Sequence, residues 1–362
     1  MSFRVDDGVR IIVIGGGVVG LAAALAASRR GASVLCLEAN EVGNTNASSA
    51  GAAKIFRFAY SRMFFAKLMV DAEVRWREYE ETTGDQLIHR CGGLNIAPPS
   101  SVRIQGIVRS LSELQRTFDI MLPNDPRLSE LGVHVNDHEI AVLEHGAGIF
   151  KPADVLVSLA RRARAVGVDL REYVCAEAIE SIASGVLVRT SAGPIRADRA
   201  IVATGPQLPH LIPEIAKDLT ITRQYQSIFK TERIIGNGAT AAWADIALDE
   251  PYGVINLPGN VHIVGDHVSG EIADPASPPD IETTNKVSSS HLETLIARCR
   301  GISRATLVET RICHYSSTES RDFLVRPARD APNVILLSAC SGHGFKFALN
   351  SGDQAAALAI ES

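Results

Sequence analysis

The sequence predicts an α/β protein, in which a Rossmann-like nucleotide-binding domain carries an inserted antiparallel-sheet domain. A glycine-rich turn joins an apolar strand to an alanine-rich helix near the start of the chain. Two later segments, 146–170 and 197–206, also contain apolar strands. Residues 86–145 and 216–304 instead alternate apolar and polar positions. At 362 residues the chain is long enough for two interleaved domains.

The first strand and helix carry the dinucleotide-binding fingerprint. An apolar strand at 11–14 leads into the turn, and an alanine-rich helix over 21–27 follows it. The turn consists of Gly15, Gly16, Gly17, Val18, Val19 and Gly20. Gly15 allows the tight turn, Gly17 lets the backbone approach a pyrophosphate, and Gly20 lets helix and strand pack closely. Free N–H groups at the start of the helix attract the phosphates.

An acidic residue completes this unit. Glu38 follows the strand at 33–37 and lies 18 residues after Gly20, where a carboxylate can accept hydrogen bonds from ribose hydroxyls. The alternative is a glycine-rich turn of an ordinary α/β protein, but the strand, the helix and the acidic residue follow one another in the order that nucleotide binding requires. The uncharged stretch 11–28 is slightly short for a membrane-spanning helix and contains four glycines, so we expect no membrane span.

The remaining pattern predicts a discontinuous organisation. Helical spacing over 64–83 indicates a helix that links the two domains, and the proline-rich stretch 274–280 indicates a surface loop. The nucleotide-binding domain is predicted to comprise 1–85, 146–215 and 305–362, and the inserted substrate domain 86–145 and 216–304.

Composition and charge limit the partners. A net charge of -5 gives no basic surface for nucleic acid, and no block of like charges would serve as a membrane arm. The six cysteines, at positions 36, 91, 175, 299, 313 and 340, form no CxxC pair, and no signal-peptide pattern is present. We therefore expect no disulfide framework, no metal site, a small-molecule partner and a cytoplasmic monomer.

Several segments resemble one known family. They are 48–57, 252–253, 265–267, 313–315 and 341–347. With the N-terminal fingerprint, they are similar to the amine-oxidising flavoproteins of the D-amino-acid oxidase superfamily, in particular the group of monomeric sarcosine oxidase, N-methyltryptophan oxidase and pipecolate oxidase. The resemblance spans nearly the whole chain. It implies a Rossmann-like FAD-binding domain joined to the antiparallel-sheet substrate domain, with FAD extended between them.

The resemblance implies a covalent flavin. In that family the cysteine of a Cys-x-Tyr motif is joined through sulfur to the 8α-methyl group of FAD, and Cys313 stands at this position. Arg311, two residues away, would favour the reactive thiolate. The alternative is a buried structural thiol, which is common for a free cysteine.

The resemblance also assigns the site residues. Cofactor contacts are implied for Gly15, Gly17, Val18, Val19, Gly20, Glu38, Ser48, Ser49, Lys54, Cys313, Gly342, His343, Gly344 and Lys346. Catalytic roles are implied for Arg57, Tyr252, His267, Tyr315 and Lys346. Arg57 and Lys346 would clamp the substrate carboxylate, since Arg presents a planar fork and Lys a compact charge. Arg57 could instead be a structural ion-pair partner, and the aromatic and imidazole groups could be ordinary core residues.

Three positions depart from the family. Ile263 stands where family oxidases place a lysine that serves the reaction with oxygen, and the adjacent His262 would face the same side only after a one-residue register shift. Lys54 occupies the place of an arginine beneath the flavin, and Ala50 that of a histidine. Amine oxidation is expected to remain while reaction with oxygen is slow, or electrons would pass to another acceptor.

The sequence therefore predicts an FAD-dependent oxidoreductase that oxidises the C–N bond of a secondary, N-methyl or cyclic amino acid to an imine. Two alternatives remain open. One is a flavin dehydrogenase of a 2-hydroxy acid, which needs a base to take the hydroxyl proton, and His267 is the candidate for that base. The other is a flavin-binding protein with reduced redox turnover.

Overall fold

A computed structural model describes residues 10–247, 251–267, 270–338 and 341–361. The strands are β1 Arg10–Ile14, β2 Ser33–Leu37, β3 Lys54–Phe56, β4 Ile88–Arg90, β5 Gly93–Ala97, β6 Phe118–Met121, β7 Ile140–Glu144, β8 Gly148–Phe150, β9 Asp169–Arg171, β10 Ala176–Ile182, β11 Gly185–Thr190, β12 Ile195–Ala197, β13 Arg199–Val202, β14 Thr220–Lys230, β15 Ala241–Asp245, β16 Pro251–Leu257, β17 Val261–Asp266, β18 Glu271–Ile272, β19 Thr306–Ser317, β20 Leu324–Pro327 and β21 Val334–Ser338. The helices are α1 Val18–Arg29, α2 Met63–Thr83, α3 Val102–Glu113, α4 Pro126–Leu131, α5 Pro152–Ala165, α6 Leu208–Leu211, α7 Ile281–Arg298 and α8 Ala348–Glu361. Short 3₁₀ turns lie at Gly205–Gln207, Pro213–Lys217 and Phe345–Phe347.

A mostly parallel sheet forms the nucleotide-binding layer. Within the described ranges its strand order is β20-β21-β13-β1-β2-β9, and only the edge strand β20 runs antiparallel to its neighbour. Helices α1, α5 and α8 cover one face, and the small antiparallel sheet β10-β11-β12 covers the other. Because both faces are buried, β1 is a continuous apolar run rather than an alternating one.

A larger sheet forms the second layer. Its order is β18-β14-β17-β16-β15-β5-β7-β6, in which β18 and β17 pair with different parts of β14, and β19 pairs with β14 along its whole length. All neighbouring pairs are antiparallel except β5 with β15. The α/β class with an antiparallel-rich sheet is thus confirmed, with one parallel pair inside that sheet. Strand β19 belongs to this sheet, although the predicted segment 305–362 was assigned to the other domain.

A third, small sheet links the two layers. Strands β3 and β4 both pair antiparallel with β8, so the segment around 146–152 joins this sheet and not the parallel one. Helix α2 begins one residue before the predicted 64–83 helix and ends where predicted. The division of the chain into two domains stays a prediction. No helix among the described residues is both long and apolar enough to cross a membrane.

Candidate active site

The predicted site residues line one cavity between the two large sheets. Its volume is about 1210 Å³, and its wall includes the turn after β1, the end of β2, the paired strands β14 and β19, and the segment that follows β21. The predicted residues in the wall are Gly15, Gly17, Val18, Val19, Glu38, Ser48, Ser49, Lys54, Arg57, Tyr252, His267, Cys313, Tyr315, Gly342, His343, Gly344 and Lys346. Gly20 is the predicted residue that does not line this cavity.

The glycine turn is shaped by close backbone contacts. Gly15 has φ +107°, and a Cβ there would lie 2.5 Å from the carbonyl oxygen of Ala203. A Cβ at Gly20 would lie 1.9 Å from the Gly15 carbonyl oxygen, so Gly20 serves the packing of α1 on the strand. The Ser49 hydroxyl accepts a hydrogen bond from the Val18 N–H at 3.1 Å, at the start of α1.

The nucleotide end of the cavity carries polar atoms suited to a cofactor. Glu38 accepts hydrogen bonds from the Gly16 and Asn40 N–H groups, at 2.7 and 3.0 Å, and its carboxylate keeps further acceptor capacity for ribose hydroxyls. In the described part of the wall, Thr204 Oγ1 and Gln224 Oε1 are buried without a partner. The glycine turn, the Glu38 carboxylate and these unpaired polar atoms therefore fit FAD.

Cys313 lines the cavity. It lies on β19 directly opposite Gln224 of β14 and is half-buried. Its Sγ is 3.9 Å from the Ser48 carbonyl oxygen, to which Lys54 Nζ also donates, at 3.2 Å. Arg311 instead donates to Glu309 Oε1 at 2.7 Å. The guanidinium is engaged by a carboxylate, which weakens the sequence argument that it favours the thiolate.

The aromatic and imidazole groups form a tight cluster. The rings of His267 and Tyr315 have centroids 5.7 Å apart, and Gln226 Nε2 donates to the Tyr252 hydroxyl at 3.1 Å. Gly342 has φ +76°, and a Cβ there would lie 2.3 Å from the Tyr315 ring and 2.7 Å from the His267 ring. Only glycine fits between these rings.

The protonation states in this cluster follow from burial. Burial, together with the nearby charges of Arg57 and Lys346, lowers the pKa of His267 to about 3, so this imidazole is neutral at pH 7. Burial raises the pKa of Tyr252 to about 12, so its phenol stays protonated. The cluster therefore offers neutral hydrogen-bonding groups next to two cations.

The two cations meet near one aromatic ring. Lys346 is 6% exposed, and its Nζ donates to the His343 carbonyl oxygen at 3.3 Å. Arg57 donates from Nη1 to Asn95 Oδ1 at 3.3 Å. Arg57 Cζ and Lys346 Nζ lie 5.6 and 5.5 Å from the centroid of the Tyr60 ring.

The surroundings of the two cations are short of negative charge within the described ranges. Among the described residues, no carboxylate lies within 4.0 Å of Arg57 or Lys346. Burial, and then the charge of Arg57, lowers the pKa of Lys346 well below its ordinary value. A buried cation without an opposite charge beside it is costly, so the site is arranged to receive an anionic group.

Isoleucine stands at the position that corresponds to the family lysine. Ile263 is fully buried and packs in an apolar cluster with Ala53, Ile228 and Val254. His262 contacts Thr231 Oγ1 at 2.8 Å and accepts from the Asn256 N–H at 3.2 Å. Burial lowers its pKa to about 4, so it is neutral at pH 7. The register shift that would bring His262 toward the cavity does not occur.

Three supporting residues were not predicted from the sequence. They are Asn95, which accepts a hydrogen bond from Arg57; Tyr60, which lies beside both cations; and Glu144, which accepts hydrogen bonds from the two residues after Arg57. No local motif marks them, because they reach the site from separate strands and loops. The described residues contain no group of three or more His, Cys, Asp and Glu side chains that could hold a metal ion.

Comparison with known proteins places the chain in a family. A family model described as FAD dependent oxidoreductase matches residues 10–358. The chain belongs to this family. The resemblance inferred from the sequence is thereby confirmed, and the protein is an FAD-dependent oxidoreductase.

Relatives and solved structures agree with this family assignment. Monomeric sarcosine oxidase of Streptomyces avermitilis is 26% identical over 97% of this chain and 93% of its own. N-methyl-L-tryptophan oxidase of Yersinia pestis is 25% identical over 96% and 94%. The solved structure of NikD, an unusual amino acid oxidase essential for nikkomycin biosynthesis, has a TM-score of 0.81 at 23% identity and covers 98% of this chain and 95% of its own. Glycine oxidase from Geobacillus kaustophilus has a TM-score of 0.80 at 16% identity, over 98% and 95%. These structures share the fold of this FAD-dependent oxidoreductase.

Proposed function

We propose that this FAD-dependent oxidoreductase oxidises the C–N bond of a secondary, N-methyl or cyclic amino acid to an imine. The observation that carries the proposal is the pair of cations, Arg57 and Lys346, which line the cavity without an acidic partner among the described residues. A substrate carboxylate would supply the missing negative charge. The relatives named for sarcosine and N-methyl-L-tryptophan support an N-substituted amino acid.

Each residue then has a defined task. Arg57 and Lys346 bind the carboxylate, and the hydroxyl-bearing rings of Tyr252 and Tyr315 orient the amine. The Cα hydrogen would leave as a hydride while the nitrogen lone pair forms the C=N bond, and FAD, when bound, would supply the two-electron acceptor. Because Lys346 has a depressed pKa, the arriving carboxylate favours its protonated form and so completes the clamp.

FAD is proposed to be attached covalently through Cys313. The thiol is half-buried and lines the same cavity as the glycine turn and the cation pair. The side chains proposed to contact the cofactor around it are Ser48, Ser49 and Lys54, together with the backbone of Gly342, His343 and Gly344. Lys54 would bring a positive charge to the flavin, since its Nζ lies at the same carbonyl oxygen as the thiol.

The 2-hydroxy acid alternative is less well supported. Oxidation of a hydroxyl group requires a base for its proton, and His267 is the candidate in the cavity wall. A pKa of about 3 makes this imidazole a weak base. A neutral amine carries its own lone pair and needs no such base, so the amino-acid substrate fits the site better.

Anaerobic reduction tests the proposal. The purified holoenzyme is mixed without oxygen with N-methyl amino acids, cyclic amino acids and 2-hydroxy acids, and the visible flavin absorbance is followed. We expect bleaching by one or both amino-acid classes. Bleaching by 2-hydroxy acids alone would support the dehydrogenase alternative, and no bleaching with any compound would support a binding role. The rate of reoxidation by oxygen, measured afterwards, decides whether oxygen or another acceptor takes the electrons.

A further inference from the structure

A buried carboxylate holds the chain that follows Arg57. Glu144 is the last residue of β7 and is 1% exposed. Its Oε1 accepts a hydrogen bond from the Phe58 N–H at 2.8 Å, and its Oε2 accepts one from the Ala59 N–H at 3.0 Å. Within the described part of the chain, no basic side chain lies within 4.0 Å of it. The carboxylate is therefore satisfied by backbone groups instead of an ion pair.

Arg57 is fixed from two neighbouring strands as a result. Asn95 of β5 accepts from its guanidinium, and Glu144 of β7 holds the next two residues. Strands β5 and β7 are adjacent in the large sheet, with Gly93 directly opposite Glu144. A binding group is placed accurately when neighbouring residues fix its position, so loss of either support is expected to loosen Arg57.

Glu144 also acts on the charge of the site. Burial raises its pKa to about 7, while its two hydrogen bonds and the charges of Arg57 and Arg116 oppose that rise. In turn, its negative charge opposes the lowering of the pKa of Lys346. Glu144 thus acts on both cations without occupying the place where a ligand carboxylate would contact them.

We propose that Glu144 is a positioning residue for carboxylate recognition: by holding the N–H groups of Phe58 and Ala59, it places the Arg57 guanidinium for the ligand. The inference rests on the proposed function, because it presupposes that Arg57 binds a carboxylate. It assigns no contact between Glu144 and the substrate.

Two substitutions separate geometry from charge. Glu144→Asp keeps the charge but shortens the side chain by one methylene, so it cannot reach both N–H groups. Glu144→Gln keeps the length but loses the charge and presents an NH₂ group to one N–H. The matched control is Glu139→Asp, since Glu139 directly precedes the same strand, is 6% exposed and accepts from Arg298 at 2.6 and 2.8 Å.

The measurement is the binding of propionate and of propionamide to the oxidised holoenzyme, followed by the change in flavin absorbance. FAD content and the melting temperature of each variant are recorded beside it. We expect Glu144→Asp and Glu144→Gln to weaken propionate binding at least tenfold, or about 1.4 kcal/mol, with propionamide binding unchanged. Glu139→Asp should lower the melting temperature and leave the preference for propionate as in the wild type.

The outcomes are distinguishable. The inference would be overturned if Glu144→Asp preferred propionate to propionamide as strongly as the wild type does. It would also be overturned if Glu144→Gln bound propionate more tightly than the wild type. Either result would show that Glu144 acts only through its charge. An equal loss for both ligands, or loss of FAD, would show a general structural role and overturn it as well. If the wild-type enzyme itself does not prefer propionate to propionamide, the proposed carboxylate clamp fails, and the inference fails with it.

Discussion

Replacing Lys346 by methionine is expected to weaken carboxylate binding while stabilising the folded protein. The substitution keeps an unbranched side chain of similar length in a position that is 6% exposed. It removes a cation that is hydrogen-bonded to the His343 carbonyl oxygen but has no acidic contact among the described residues. The two effects have opposite signs, because the charge costs free energy in the empty site and returns it when a carboxylate binds.

The magnitude for binding follows from the burial of this amine. Truncating one partner of a buried charged contact costs about 2–5 kcal/mol. Part of the attraction between Lys346 and the ligand carboxylate is used to protonate the amine, because its pKa is lowered in the protein. We therefore expect the lower part of this range, about 2–3 kcal/mol, or roughly 30- to 150-fold in Kd.

The lowered pKa of Lys346 also determines whether the substitution raises or lowers the free energy of unfolding. The folded pKa of Lys346 lies below its unfolded value of 10.5, so the unfolded chain binds more protons between these two values. Wild-type stability therefore rises with pH across that interval, and the cost is full below it. Lys346→Met lacks this cost, so its free energy of unfolding should exceed that of the wild type at pH 7, and the difference should shrink as pH approaches 10.5.

The assay is titration of oxidised holoenzyme with propionate, combined with urea unfolding at several pH values. Lys67→Met is the control, since Lys67 is exposed on α2 and its loss changes the net charge equally. Unchanged propionate affinity in Lys346→Met with normal FAD content would refute the assigned role. A variant less stable than the wild type at pH 7 would refute the reasoning on the buried charge.

Three further substitutions test other parts of the site. Cys313→Ser should release all FAD on acid precipitation, whereas the wild type should keep the yellow chromophore on a peptide containing Cys313; free FAD from fully loaded wild type would disprove the covalent link. Ile263→Lys should speed reoxidation by oxygen and spare anaerobic reduction, although burial will lower the pKa of the new amine and limit the gain; stopped-flow rates equal to the wild type would count against this role of the position. Gly342→Ala should cost about 1–3 kcal/mol of stability for its positive φ alone, and the clash with Tyr315 and His267 should also reduce turnover; a wild-type melting temperature and rate would contradict the packing argument.

Local patterns predicted much of the fold. The strand expected at 33–37 coincides with β2, and the helix expected over 64–83 differs from α2 by one residue. Hydrophobic periodicity reports which face of a segment is buried, but it does not report which distant strand lies beside it. The parallel pairing of β5 with β15, in which Leu94 lies opposite Trp243, therefore could not be predicted. The place of β19 beside β14 was missed for the same reason.

The candidate site shows a similar limit. The family motifs marked Arg57, Cys313 and Lys346, and the structure brings them to one cavity. The residues that support them were not predicted. Glu144, for example, accepts a hydrogen bond from the Phe58 N–H, which lies 86 residues away in the sequence, and it belongs to no motif. The interpretation of Arg311 also depended on spacing alone, and its ion pair with Glu309 could not be read from that spacing.

The central claim is that Arg57 and Lys346 hold the carboxylate of an amino acid while its C–N bond is oxidised. The most direct test is anaerobic flavin reduction by a reactive amino acid and by its amide, in the wild type and in Lys346→Met. The wild type is expected to reduce faster with the acid, and this preference should fall roughly 30-fold or more in the variant. The same acid-to-amide ratio of kcat/KM in both proteins would contradict the claim.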